Sequence, residues 1–168
     1  MSKLIGFPEM VNEFAARLVA SGVAVLGITT LATGSWWIAA MLAAGFAARV
    51  LAGPRFSPLA RAALAIAPVF GPPRDVPGPP KRFAQAVGFA FASAAAGAAL
   101  AFSADGVATV LIGVLVGFAT LEAVFGFCAG CVVFGALMRI GVIPQKTCEA
   151  CADLRSRAQA DWSAAPGG

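Results

Sequence analysis

The sequence predicts an all-α integral membrane protein: a four-helix bundle built from two tandem helical hairpins, with a further cytoplasmic amphipathic or C-terminal helix. Three observations lead there. Of 168 residues, 60% are hydrophobic and 12% charged, where a soluble domain averages roughly 45–50% and 25%. Four apolar runs approach the roughly 20 residues a helix needs to cross a hydrocarbon core of about 30 Å. Within each hairpin only three residues join one run to the next. The composition also restricts the chemistry. With no histidine and no tyrosine, Ser/His and Cys/His hydrolase schemes and histidine metal sites are ruled out.

The spans are expected at Phe14 to Leu31, Ser35 to Leu51, Phe83 to Ser103 and Val107 to Phe127. Glu9 and Glu13 precede the first, which is unlike the basic start of a cleaved signal, so this span should be retained. The second hairpin turns at Ala104, Asp105 and Gly106, with Gly106 expected to supply a positive φ. A shift of 72 positions lays Gly34 on Gly106 and Gly45-Phe46-Ala47 on Gly117-Phe118-Ala119, the pattern of a duplicated hairpin in parallel orientation. Residues 1–141 form the membrane domain and 142–168 a cytoplasmic tail.

Of the 12 lysines and arginines, eleven lie before the first span, at or between spans two and three, or after span four; the twelfth, Arg17, is near the start of span one, and neither tight turn carries one. Short basic loops stay on the cytoplasmic side. Both termini and the central loop are therefore expected in the cytoplasm, with Arg17 and Arg49 snorkelling to the headgroups. This distribution accounts for the net charge of +4 and leaves no case for nucleic-acid binding. The bilayer is the expected partner, and self-association is left open.

The loop 54–80 holds eight of the eleven prolines, which predicts little regular structure apart from a short interfacial helix over Leu59 to Ala67. Arg55-Phe56 and Arg82-Phe83 flank this loop. They read either as headgroup anchors or as contacts to an anion or thiolate. The apolar run from Val107 to Ile143 would make a helix about 55 Å long, too long for one crossing. It is expected to leave the membrane near Gly126 and to bend along the surface or dock on the cytoplasmic loop. Thr147 would then cap a polar helix from Cys148 to Trp162.

The four cysteines form two CxxC pairs, Cys128/Cys131 and Cys148/Cys151. In a reducing cytoplasm permanent disulfides are disfavoured. The spacing between the pairs matches four-thiolate zinc sites, and a zinc or iron-sulfur scaffold is one reading. Dithiol redox or sulfur transfer is another and requires no cofactor: residues i and i+3 share a helix face, with Gly130 leaving room for an incoming partner. Cys148, at a helix N-terminus near Lys146, would be the low-pKa thiol of a second relay pair. Plain packing of small apolar residues is the third reading. Glu122, a carboxylate inside an apolar span, is either functional or paired with an arginine of the loop.

Gly-Ser-Trp-Trp at 34–37, Gly-Pro-Arg-Phe-Ser-Pro at 53–58, Arg-Phe-Ala-Gln at 82–85 and Gly-Phe-Cys-Ala-Gly-Cys at 126–131 together resemble a bacterial membrane family called domain of unknown function four-three-nine-five. The resemblance runs from about Phe14 to Arg139 and includes Cys128 and Cys131, but not the tail pair. It implies four spans and an association with thioredoxin-like and rhodanese-like proteins. The expected function is therefore a membrane dithiol, Cys128 and Cys131 with Glu122, exchanging electrons or sulfur with such a cytoplasmic partner. The alternatives are the four-cysteine metal scaffold and a small carrier for a sulfur anion. No residue set in the sequence argues for quinone chemistry.

Overall fold

A computed structural model describes residues 10–53, 56–72 and 75–141. Asn12 starts the first helix, α1 (Glu13–Thr33), by accepting the N–H groups of Phe14 and Ala15 on its Oδ1 at 2.9 and 3.4 Å. This satisfies two of the N–H groups that a helix start leaves without partners. Gly34 ends α1 in the left-handed region, φ 65°, and the chain reverses into α2 (Trp36–Ala52). After α3 (Pro58–Ile66) and a 3₁₀ turn at Ala67–Phe70 come the long helices α4 (Gly78–Phe102) and α5 (Asp105–Phe125), then α6 (Ala129–Arg139). Two three-residue strands, Met10–Asn12 and Asp75–Pro77, pair antiparallel and tie the start of α1 to the start of α4.

The protein is all-α, apart from that short pairing. The most extensive packing is of α2 on α4 and of α1 on α5, followed by α4 on α5, while α1 also contacts α2 and α3. Exchanging the two hairpins maps the two leading contacts onto each other, as a duplicated unit would require. The turns, however, are not equivalent. Gly106 lies inside the first turn of α5, and Ser103 takes the positive φ, 52°. The expected glycine is displaced because α4 stops at Phe102 and reverses earlier than the 72-residue shift implies.

Two further expectations are corrected. The short helix expected over Leu59 to Ala67 is present as α3, with Ala60 and Ala63 buried, but regular structure in the proline-rich segment goes further, through the 3₁₀ turn to Phe70 and from Gly78 into α4. Pro58, Pro79 and Pro80 stand in the first turns of α3 and α4. There the missing N–H has no intrahelical partner to lose, so proline starts a helix where inside one it would break it. The third long helix consequently begins at Gly78, five residues before Phe83.

The interior is built mostly from alanine, such as Ala39, Ala92, Ala95 and Ala108, whereas Trp37, Met41, Val110, Val124 and Phe125 point outward. Small residues let helix backbones approach closely, and large apolar side chains outside suit a lipid solvent, not water. Helices α1, α4 and α5 are long and apolar enough to cross a membrane, while α2, at 17 residues, is shorter. The chain is a membrane protein, with lipid against its outer faces.

Candidate functional site

The long apolar run after Val107 is divided at Gly126. This residue caps α5 in the left-handed conformation, φ 69°, and its N–H donates to the Glu122 carbonyl at 2.9 Å. Phe127 and Cys128 then redirect the chain. α6 packs along α4, where the sequence left a choice between the surface and the cytoplasmic loop. Cys128 is the N-cap of α6 and Cys131 its third residue. The pair therefore does not lie along one continuous helix: Cys128 sits at a helix start, the environment that sequence reasoning assigned to Cys148.

Cys128 is buried and Cys131 half-buried, and both are free thiols. Hydrogen bonding with the Cys131 thiol holds Cys128 below the usual thiol range. The Lys81 ammonium acts in the same direction, against burial and the Glu122 carboxylate. The same hydrogen bond, together with burial, pushes Cys131 above that range. One thiol is thus set to attack and the other to keep its proton.

Glu122 is ion-paired with Lys81 of α4, both side chains being largely shielded. Among the described residues its partner is this lysine and not an arginine of the loop. Lys81 is also, among the described residues, the cation whose charge reaches both cysteines, a role that the sequence suggested for Arg55 and Arg82. Arg82 donates its Nε to the Val50 carbonyl at 3.1 Å, near the end of α2. Arg17 does the same for α5, donating to the carbonyls of Ala123 at 3.1 Å and Val124 at 2.6 Å. Each satisfies carbonyls that a helix end leaves open. Phe83 packs on Phe134 of α6 with ring centroids 5.8 Å apart, while Phe56 is exposed. Arg55, Cys148, Cys151 and the helix expected after Thr147 lie outside the described residues.

Two roles read from sequence change. Gly130 does not leave room for a partner: a Cβ there would lie 2.6 Å from the Ala84 Cβ and 2.7 Å from its Cα, so the missing side chain is what lets α6 close onto α4. Arg49 does not snorkel. It is 3% exposed, with Nε donating to Gln85 Oε1 at 2.7 Å, Nη1 to Ser57 Oγ at 3.1 Å, and its guanidinium carbon 4.5 Å from the Phe46 ring centroid. It joins α2, α4 and the start of α3. The signal was present in the spacing. Arg49 continues the buried stripe of Ala39, Leu42 and Phe46 on α2, and Glu122 continues that of Ala108, Ile112, Leu115 and Ala119 on α5. Lys81 in turn stands seven residues before the buried Gly88 of α4.

A cavity of about 230 Å³ runs between α1, α4, α5 and α6. Val19, Val23, Phe91 and Leu115 form its apolar part, and Gln85, Glu122 and Cys128 line it as well. Among the described residues, no group of three or more His, Cys, Asp or Glu is gathered to hold a metal ion. The arrangement can hold a thiolate beside a proton-bearing thiol, with an acid and an ammonium at hand.

These features define an all-α membrane protein with a thiol pair and an ion pair at a helix break beside a half-open cavity. Residues 11–139 match the family model described as Domain of unknown function (DUF4395), and the chain belongs to that family. The match includes Cys128 and Cys131 and ends before Cys148. No curated protein and no solved structure matches the chain.

Proposed function

We propose that the protein is a membrane-embedded dithiol, Cys128 and Cys131, which exchanges electrons or sulfur with a thioredoxin-like or rhodanese-like protein at the cytoplasmic face of a bacterial plasma membrane. The observation that carries this reading is the pairing of the two thiols at the start of α6, next to Lys81 and Glu122. A packing role needs neither a helix start nor a neighbouring cation. The apolar cavity walls and the engagement of Lys81 by Glu122 favour thiol chemistry over passage of a sulfur anion, which would find little to offset its desolvation.

The arrangement proposed in the membrane has four crossings with both termini cytoplasmic. Its support is that Arg17, Arg49, Lys81 and Arg82 all interact at the end of the helices opposite the turns at 34–35 and 103–104. The test is the redox state of each cysteine, read by differential alkylation and mass spectrometry, for the full chain in lipid nanodiscs across thiol/disulfide buffers. Reversible formation of a Cys128–Cys131 disulfide is expected. Thiols that stay reduced throughout, or that are protected by about one bound metal per chain, would overturn it.

A further inference from the structure

We propose that the half-open cavity between α1, α4, α5 and α6 binds the ring of a membrane-soluble quinone, which serves as the electron acceptor for the Cys128/Cys131 dithiol. This rests on the dithiol reading above and names its oxidant.

The cavity's size and shape come first. An apolar cavity of about 150 Å³ is enough to hold benzene, so about 230 Å³ accommodates a six-membered ring with small substituents. It is smaller than the roughly 300 Å³ at which pockets begin to enclose whole drug-sized ligands, so a long tail must leave through a mouth. Phe118 and Val133 both line the cavity and are about half exposed, 46% and 50%. They place that mouth on the apolar outer surface of α5 and α6, where an apolar tail would extend into lipid.

The polar groups then select the head. Arginine can only donate hydrogen bonds. Arg49 therefore fixes Gln85 with its carbonyl oxygen toward the guanidinium, leaving the amide NH₂ as a donor for a ligand carbonyl. Glu122 and Cys128 line the same cavity. An apolar ring bearing carbonyl oxygens satisfies both the walls and these groups, whereas an acyl chain leaves the donor unused. Arg49 is a positioning residue acting through Gln85.

The chemistry balances without another reactant. As the S–S bond forms, Cys128 and Cys131 together lose two electrons and two protons; the quinone takes up both and becomes the quinol. Glu122 is placed to pass a proton between thiol and ring oxygen. A partner's dithiol then reduces the Cys128–Cys131 disulfide and leaves as its own disulfide.

The test uses the full chain, reduced and oxygen-free, in quinone-free nanodiscs, with a fully substituted decyl-benzoquinone as probe. Quinol is followed by absorbance and each cysteine by mass spectrometry. One quinol per Cys128–Cys131 disulfide is expected, and Ala16→Leu, which adds three carbons to the cavity wall, should raise the half-saturating quinone concentration by about tenfold or more, since a single methylene in an apolar pocket is already worth about that much. An azido-quinone should label cavity-lining peptides of α1, α4, α5 or α6 of the unsubstituted chain on photolysis, a readout that holds whether or not the variant folds. Hydroxyethyl disulfide serves as the second oxidant. If it forms the disulfide while the quinone does not, the quinone proposal falls and the dithiol reading stands; if neither oxidant does, both fall. Labelling outside the cavity, or displacement of the probe by phospholipid alone, would also overturn the proposal.

Discussion

Lys81, in the first turn of α4, is ion-paired with Glu122, in the last turn of α5. The pair joins the two ends of the second hairpin at the place where α5 stops, and it sets one charge of each sign beside Cys128.

Removing one member of a buried pair leaves the other charge without compensation, at a cost of about 3 kcal/mol or more. Lys81→Met and Glu122→Leu should each destabilise the chain on that scale. The double variant should lose less than the sum of the two. Denaturant unfolding in detergent measures this, and strictly additive losses would show that the pair does not form.

The pH dependence of thiol reactivity follows from the opposed shifts of the two cysteines. A thiol held below the usual range keeps its thiolate as pH falls, so Cys128 should still be alkylated where an ordinary thiol has slowed. Cys131 should react only at higher pH. Lys81 lowers the Cys128 pKa and Glu122 raises it, so Lys81→Met should move the Cys128 midpoint up and Glu122→Gln should move it down. Alkylation rates per cysteine across pH give both midpoints; equal midpoints for the two thiols would contradict the arrangement.

Gly130→Ala forces a Cβ against the backbone of α4 at Ala84, a rigid neighbour. Overpacking of this kind costs about 1–3 kcal/mol. The variant should lose stability on that scale and expose Cys128 to faster alkylation as α6 lifts away. Gly135→Ala, on the same helix with nothing within 4 Å, should do neither.

Arg49→Lys keeps the charge but gives up the planar fork that reaches Gln85 and Ser57 together. A single ammonium cannot reproduce both bonds along with the stacking on Phe46. A loss of about 1–3 kcal/mol is expected from the polar group left unsatisfied, measured by thermal unfolding. A neutral outcome would mean that the arginine does not join these helices.

The long apolar helices, the short reversals between them, the helix end at Gly126 and the gathering of basic residues away from the turns were all legible in the order of residues. These features depend on neighbours along the chain: apolar run length and a glycine able to take positive φ. The number of prolines in 54–80 does not reveal that Pro58, Pro79 and Pro80 fall in first turns, where proline is tolerated, and not in helix interiors, where it is not.

Which groups meet was settled by packing. Lys81 and Glu122 are 41 residues apart and Arg49 and Gln85 are 36, so their pairing depends on how each helix is rotated about its axis and how far it slides along its neighbour. The stripes through Phe46 and Ala119 show that Arg49 and Glu122 face inward, but not what they face. The same holds for Gly130, whose open side is filled by Ala84, and for Cys128, whose place at a helix start follows from the turn after Gly126. Residue spacing encodes the buried face of a helix; contact between helices chooses the partner on the other side.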